Sequence, residues 1–180
     1  MTRAFDLFEG MNKAGVVNDR IRYGASQKRQ FEENGFILFP NFLTKQGLKK
    51  IRKKVDAIYS EKDPKIDGEW ILNVHQLLPE DDNWMWEIAT NPTLVGILED
   101  MLGKGVNLYA SQLHRKEPGG GTDVPWHQDG NEAVRTLWIS LDDVSADNGG
   151  LVVLPGLHKV QTTKESERAR ESVCVRERDR

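Results

Sequence analysis

The sequence changes its hydrophobic period partway along, and this change most constrains the fold. Helical stretches lie at 48–59, 82–89 and 92–102, with a polar loop at 61–68, whereas from Val106 onward apolar residues form short extended runs. Turns rich in Gly, Pro and Asp separate those runs. Helices first and strands later is the order of an α+β domain whose sheet is antiparallel, because such strands need no helical crossovers. The sequence therefore predicts an α+β fold with N-terminal helices packed on a later sheet.

The individual elements are predicted from caps and apolar spacing. The predicted helices are 26–33, one that begins after Thr44, 82–89 and 92–102, and the predicted strands are 36–39, 106–113, 135–141 and 150–154. Ser26 and Thr44 can each cap the helix that follows, and Gly35 can end the first helix in a left-handed conformation. The Lys- and Arg-rich side of the second helix is interpreted as a solvated face.

Three segments differ in composition. Residues 1–25 have weak periodicity and are predicted to be a loosely held arm, and residues 26–159 are predicted to be one domain. Residues 160–180 are dense in charges of mixed sign and poor in apolar residues. Because such a segment cannot cover a sheet, we expect a disordered or frayed-helical tail.

Charge and cysteine content limit the functions to consider. Acidic residues number 28 and basic residues 25, mixed along the chain, so no basic face for nucleic acid is predicted. Cys174 is the single cysteine, which excludes an internal disulfide and suits a reducing compartment. No window has the apolar core of a signal peptide or a membrane span. We expect a soluble, cytoplasmic protein that acts on a small molecule, without nucleic acid or membrane.

The segment at 125–130 carries the candidate chemistry. In a strand, residues two apart point to the same side, so in a strand at 127–129 His127 and Asp129 would converge on one point and could chelate a cation. An imidazole with a carboxylate suits a borderline divalent metal, and two histidines with one carboxylate is the arrangement of ferrous oxygenases. By itself the H-x-D pattern is a weak signal.

Four stretches together resemble the phytanoyl-CoA dioxygenase family, in the order found in that family. They are ENGF at 33–36, PWHQD at 125–129, LWISLDD at 137–143 and DNGGLVVLPGLH at 147–158, and the resemblance spans residues 29–159. It implies an Fe(II)- and 2-oxoglutarate-dependent oxygenase, with ascorbate as an optional reductant. It also implies helices packed on a double-stranded β-helix, a cupin-like jelly roll with iron near its open end.

The resemblance also assigns residues. His127 and Asp129 match the first two iron ligands, Trp138 matches a tryptophan near the 2-oxoglutarate, and Gln128 lies in the same binding stretch. Gln112 and, more loosely, His75 fall where the family places other co-substrate contacts. Because position 129 keeps its carboxylate, the resemblance favours hydroxylation of an unactivated C–H bond over halogenation.

Each of these residues also has a structural interpretation. Trp138 could belong to a plain apolar core, Gln112 could face solvent on its strand, and His75 and His114 could be half-buried structural histidines. His158 lies in a turn motif of the family, so we do not expect it to bind metal. The glycines at 149, 150 and 156 are interpreted as turn formers.

The chain departs from the family after Lys159, because no histidine follows. The distal histidine ligand and the arginine that holds 2-oxoglutarate are thus not supplied, and about half of the jelly roll is expected to be missing. We therefore expect impaired activity, and exposed sheet edges through which the chain could bind a partner or itself.

Two alternatives to an active oxygenase stay open. One is a non-catalytic derivative of such an enzyme, and the other is a cupin-like metal hydrolase or isomerase that uses His127, Asp129 and His158. The substrate is equally open among acyl-CoA esters, small amino acid derivatives and natural-product scaffolds.

Overall fold

The computed structural model describes residues 15–60, 70–116, 124, 127, 129, 134–145, 147–159 and 175–177. The helices are α1 (Ala25–Asn34), α2 (Lys45–Ser60), α3 (Val74–Leu77), α4 (Trp84–Ala89) and α5 (Pro92–Leu102), with 3-10 turns at Glu80–Asp82 and Leu157–Lys159. The strands are β1 (Trp70–Leu72), β2 (Gln112–His114), β3 (Leu151–Val153) and β4 (Val175–Glu177). The mixed content confirms the α+β class. Two compact units divide the chain: Met1–Ile21 with Pro40–Arg115, and Arg22–Phe39 with Lys116–Arg180.

In the first unit, α2 begins where the sequence predicts. Thr44 Oγ1 accepts a hydrogen bond from the Gly47 N–H at 2.9 Å, which satisfies one of the free amides of the first helical turn. The Thr44 hydroxyl also donates to the Gly15 carbonyl, and the Thr44 N–H donates to the Val16 carbonyl at 2.9 Å. Since Val16 is buried, residues 15–16 of the predicted arm are fixed to the start of α2.

Two lysines of α2 are paired within the same unit. Lys50 Nζ lies 3.1 Å from Glu87 Oε1 of α4, and Lys54 pairs with Asp82 in the preceding 3-10 turn. These pairs join α2 to the segment that carries α4. Ile51 lies between them in sequence and is fully buried, so α2 has the amphipathic character that its spacing predicts.

The strands β1 and β2 form an antiparallel pair. Ile71 lies opposite Leu113, and both are buried, while Trp70 lies opposite His114 with the two rings stacked at 3.7 Å. After β1 the chain turns through Asn73, whose φ is 53°, into the short helix α3. The turn brings the start of α3 beside the residue that precedes β2, because the Val74 N–H donates to the Ser111 carbonyl at 3.3 Å.

Asparagine side chains cap α4 and α5. Asn83 accepts from the Trp86 N–H, so α4 begins two residues after the predicted start at 82. Asn91 caps α5, Pro92 occupies its first position and Gly103 ends it at a φ of 90°, which confirms the predicted helix 92–102.

Buried apolar side chains from α2 to α5 and from the strands β1 and β2 form the core of the first unit: Ile51, Ile71, Val74, Trp84, Ile88, Leu94, Ile97 and Leu113.

In the second unit, α1 begins one residue before the cap that the sequence predicts. Gly24 occupies the capping position in place of Ser26, and the Gln27 side chain accepts from the Gly24 N–H at 3.1 Å. The end of the helix is as predicted: Gly35 has a φ of 84° and donates its N–H to the Phe31 carbonyl at 2.8 Å.

The turn after β3 is bonded to the end of α1. The Gly156 N–H donates to the Asn34 carbonyl at 2.9 Å, and His158 Nε2 lies 3.2 Å from the Glu32 carbonyl oxygen. A Cβ at Gly35 would lie 2.4 Å from His158 Nδ1, so this close approach requires glycine. The motif at 155–158 thus packs as a turn on the helix.

The predicted strand at 150–154 is present as β3, and it pairs antiparallel with β4. Leu151 lies opposite Glu177, and Val153 lies opposite Val175. Residues 175–177 lie in the segment whose composition predicts a disordered or frayed-helical tail, and at these three positions the structure has a strand instead. The rest of 160–180 lies outside the described residues.

Three other strand predictions are corrected. Residues 36–39 and the described residues of 135–141 form no strand, and of 106–113 only the last two residues enter β2. An apolar run has the propensity for a strand, but a strand also needs a partner whose backbone groups complete the ladder. Within the described ranges every helix is too short or too polar to serve as a membrane span.

Candidate metal centre

His127 and Asp129 lie side by side in the second unit. His127 Nε2 is 3.2 Å from Asp129 Oδ1, and the two side chains are 43% and 52% exposed. Neither residue is in a strand, so the strand that the sequence predicts to align them is not present at these two positions. Both groups remain accessible to an ion from solvent.

The spacing of the two atoms suits a shared metal ion. Bonds of about 2.1 Å are typical of an imidazole nitrogen and a carboxylate oxygen on a first-row divalent metal, and two such ligands at a right angle lie about 3.0 Å apart. The observed separation of 3.2 Å is close to that value. A neutral imidazole and a carboxylate on neighbouring coordination positions fit the donor set that ferrous iron accepts.

Thr136 orients the carboxylate. Its Oγ1 donates to Asp129 Oδ2 at 2.8 Å, which leaves Oδ1 as the oxygen that lies next to His127. A hydrogen bond on the outer oxygen of a ligating carboxylate fixes the direction of the inner one. Asp129 is therefore prepared to present a single oxygen to an ion.

Among the residues that the structure describes, no group of three His, Cys, Asp or Glu side chains could hold a metal ion. His158 is therefore not a third partner of His127 and Asp129, which removes the ligand set of the hydrolase alternative. His158 instead contacts α1 through Nε2 and the Glu32 carbonyl oxygen at 3.2 Å. This contact agrees with the prediction that its turn is structural.

Trp138 is not a core residue. Trp138 is 41% exposed, which contradicts the interpretation of this residue as plain core. An exposed indole offers a flat apolar surface to a ligand. Gln128, the residue between the two candidate ligands, lies outside the described residues.

The remaining predicted site residues belong to the first unit. Gln112 is exposed on β2 opposite Leu72, as its structural interpretation also predicts. His75 is half-buried on α3, with its Nδ1 2.7 Å from Ser111 Oγ.

Sequence reasoning missed Thr136 and Ser111. Thr136 lies seven residues from Asp129, and Ser111 lies 36 residues from His75. Neither lies in a motif of its own, and a single hydroxyl residue carries no sequence signal for a partner that the fold supplies.

The structure thus defines an α+β chain in which an imidazole and a carboxylate lie side by side and exposed. The chain belongs to the phytanoyl-CoA dioxygenase (PhyH) family, whose sequence model matches residues 31–179. The matched region extends beyond Lys159, where the resemblance in the motifs ends, and includes most of the charged tail. The family relationship therefore reaches further along the chain than the motifs predict.

Several curated proteins are similar to the chain. An L-proline trans-4-hydroxylase of Streptomyces griseoviridis is 27% identical over 79% of the chain and 55% of its own length. An ectoine dioxygenase of Nocardia farcinica is 26% identical over 75% and 51%, and a peroxisomal phytanoyl-CoA dioxygenase of Bos taurus is 23% identical over 74% and 47%. The chain thus spans about half the length of the curated relatives it matches. No solved structure matches it.

Proposed function

We propose that the chain is the part of an Fe(II)- and 2-oxoglutarate-dependent oxygenase that supplies two iron ligands, His127 and Asp129. The observation that carries the proposal is the 3.2 Å contact between His127 Nε2 and Asp129 Oδ1, within the region matched by the PhyH family. Iron with 2-oxoglutarate and oxygen supplies the oxidising power to hydroxylate an unactivated C–H bond of a small organic or acyl substrate. The protein groups hold and orient these reactants.

Each residue near the pair has a proposed task. His127 would hold iron through Nε2 and Asp129 would hold it through Oδ1, while Thr136 keeps that carboxylate oriented by its hydrogen bond to Oδ2. The exposed Trp138 packs against 2-oxoglutarate, and Gln128 lies beside it in sequence. Gln112 and His75 are further proposed contacts of the co-substrate.

The fold proposed for the whole protein is the jelly roll, of which this chain supplies a part with helices on its outside. The chain spans about half the length of its curated relatives, and the described residues supply only two ligands. We therefore propose weak iron binding and impaired turnover for this chain by itself. Since two ligands hold iron less firmly than three, a third ligand would strengthen binding.

The substrate is proposed only as a class. The names of the relatives include L-proline and ectoine, which are small cyclic amino acid derivatives, and phytanoyl-CoA, which is an acyl thioester. A small organic or acyl molecule is therefore the narrowest class they support. The mixed charge of the chain and its single cysteine support a cytoplasmic protein that binds neither nucleic acid nor membrane.

Anaerobic isothermal titration with Fe(II) tests the ligand pair. We expect His127→Ala and Asp129→Asn each to weaken iron binding by at least about 10- to 100-fold, since loss of even an outer-shell partner has that effect. Asp143→Asn is the matched control because Asp143 is exposed and its carbonyl, not its carboxylate, bonds to Asn148. His158→Ala should also leave iron binding unchanged.

Succinate release tests the reaction class. With Fe(II), ascorbate and oxygen, the wild-type chain should convert 2-oxoglutarate to succinate slowly, and Asp129→Asn should not. Iron binding that is equal in the wild type, His127→Ala and Asp129→Asn would show that the pair does not hold the metal. Absence of any iron binding by the wild type would support a non-catalytic derivative instead.

A further inference from the structure

His75 is fixed by several contacts within the first unit. Its backbone N–H donates to Ser111 Oγ at 3.0 Å, and its ring Nδ1 lies 2.7 Å from the same oxygen. Its carbonyl accepts from Asn83 Nδ2 at 2.7 Å, and the Trp86 ring packs edge-on at 5.4 Å between centroids. Backbone and ring are thus both held, so the imidazole has one orientation.

The backbone before His75 supports the same conclusion. Asn73 adopts a left-handed conformation, with φ 53° and ψ 43°, between β1 and α3. Asparagine tolerates this conformation better than most residues do, although it still costs energy there. The bend buries Val74 completely and brings His75 beside Ser111. A strained turn that places one side chain is typical of a functional site.

Ser111 also determines which nitrogen of His75 carries the proton. Ser111 is only 7% exposed, and within the described chain its hydroxyl has no acceptor other than His75 Nδ1. If Nδ1 were protonated, Nδ1 and the backbone N–H would both donate to Oγ, and the buried hydroxyl hydrogen would have no acceptor. That loss is costly, so the hydroxyl donates to Nδ1 and the ring proton is on Nε2.

We infer that Ser111 is a positioning residue, which presents the Nε2–H of His75 as a fixed donor to a carboxylate oxygen of a bound ligand. In the part of the chain that is described, no group pairs with Nε2, and the side chain is only half-buried. An ionised oxygen makes the strongest hydrogen bond to such a donor. The identity of that ligand as 2-oxoglutarate rests on the proposed function.

Imidazole ¹⁵N chemical shifts test the tautomer directly. In the ligand-free wild-type chain, at a pH where the ring is neutral, we expect His75 to show a protonated Nε2 and an unprotonated Nδ1. Ser111→Ala removes the hydroxyl. The ¹⁵N chemical shifts of His75 Nδ1 and Nε2 should then move toward the average of the two tautomers. Ser111→Thr keeps the hydroxyl and should restore the wild-type pattern.

Ser60→Ala is the matched control for loss of a serine hydroxyl in the same unit. Ser60 donates to the Ala57 carbonyl at the end of α2, so its loss should leave the His75 shifts unchanged. Equal ¹⁵N shifts for His75 in the wild type and in Ser111→Ala would overturn the inference.

Calorimetric titration with 2-oxoglutarate in the presence of Fe(II) tests the consequence for the ligand. We expect Ser111→Ala to bind 2-oxoglutarate about 10-fold more weakly. This is the lower end of the roughly 10- to 100-fold loss that is typical when the residue orienting a ligating histidine is removed. Ser111→Thr and Ser60→Ala should retain wild-type affinity.

The two measurements separate the two hypotheses. A wild-type chain with the fixed tautomer but no 2-oxoglutarate binding would overturn the co-substrate role of His75 and leave its positioning by Ser111 intact. Equal 2-oxoglutarate affinity in the wild type and Ser111→Ala would overturn the role in ligand binding, even in an active oxygenase.

Discussion

Gly35 lacks a side chain at the point where α1 ends against the ring of His158. Its φ of 84° is in the left-handed region, and an added Cβ would lie 2.4 Å from His158 Nδ1. Gly35→Ala therefore combines backbone strain of about 1–2 kcal/mol with displacement of the ring, which adds at least about 1 kcal/mol. Urea denaturation should show a loss of about 2–4 kcal/mol in the free energy of unfolding.

Two variants separate the backbone strain from the crowding. Gly105 has a φ of 87° and open space around its Cα, so Gly105→Ala should have only the backbone cost. In a His158→Ala background, Gly35→Ala should be less destabilising than in the wild type. Equal effects of Gly35→Ala in the two backgrounds would mean that the ring of His158 does not crowd this position.

The candidate ligands could be predicted from sequence, whereas their partners could not. His127 and Asp129 are separated by one residue, so their proximity could be expected, although the strand that the prediction assumed is not observed at either position. Thr136 and Ser111 act on Asp129 and His75 only because folding brings them within 2.8 Å and 2.7 Å. The exposure of Trp138 is likewise decided by the packing of other segments.

Among the elements, α2 shows how much a single cap contributes. Thr44 accepts from the Gly47 N–H and donates to the Gly15 carbonyl, so one hydroxyl serves both the helix and the preceding segment. Thr44→Ala should lower the free energy of unfolding by about 1–2 kcal/mol, which urea denaturation would measure.

Thr44→Ser keeps the hydroxyl and is the matched control. Serine caps helices at least as well as threonine. The free energy of unfolding of Thr44→Ser should therefore stay within about 0.5 kcal/mol of the wild-type value. Equal stability of the alanine and serine variants would mean that the hydrogen bonds of Thr44 contribute nothing net.

Helices were predicted better than strands for a physical reason. The signals for α5 lie within or next to the helix, in Pro92 and Gly103, because helical hydrogen bonds are local. The strand β1 instead depends on β2, about 40 residues later in the chain, for its hydrogen bonds. Residues 36–39 are as apolar as many strands, yet no partner pairs with them among the described residues. Composition alone therefore predicted strands at 36–39 and 135–141 that do not form, and it missed β1 and β4.

At the scale of the whole molecule, the two units differ in how they are stabilised. Large apolar residues are exposed in both units, but all the buried apolar residues among the described ones belong to the first unit, where helices and a strand pair contribute them. A two-stranded sheet by itself is only marginally stable in water. The pair of β3 and β4 is therefore sensitive to loss of either strand, although β4 belongs to the charged segment that was predicted to be unstructured.

Shortening the chain to end at Lys159 tests whether β4 contributes to the fold. This deletion removes the partner of β3 at three positions, so the backbone groups of Leu151–Val153 lose their ladder and become an open edge. We expect a loss of about 1–2 kcal/mol in the free energy of unfolding, at about 1 kcal/mol per hydrogen bond, and greater self-association by analytical ultracentrifugation. A chain that ends at Glu177 keeps β4 and should behave as the wild type. If both shortened chains match the wild type, residues 160–180 are the dispensable tail that their composition predicts.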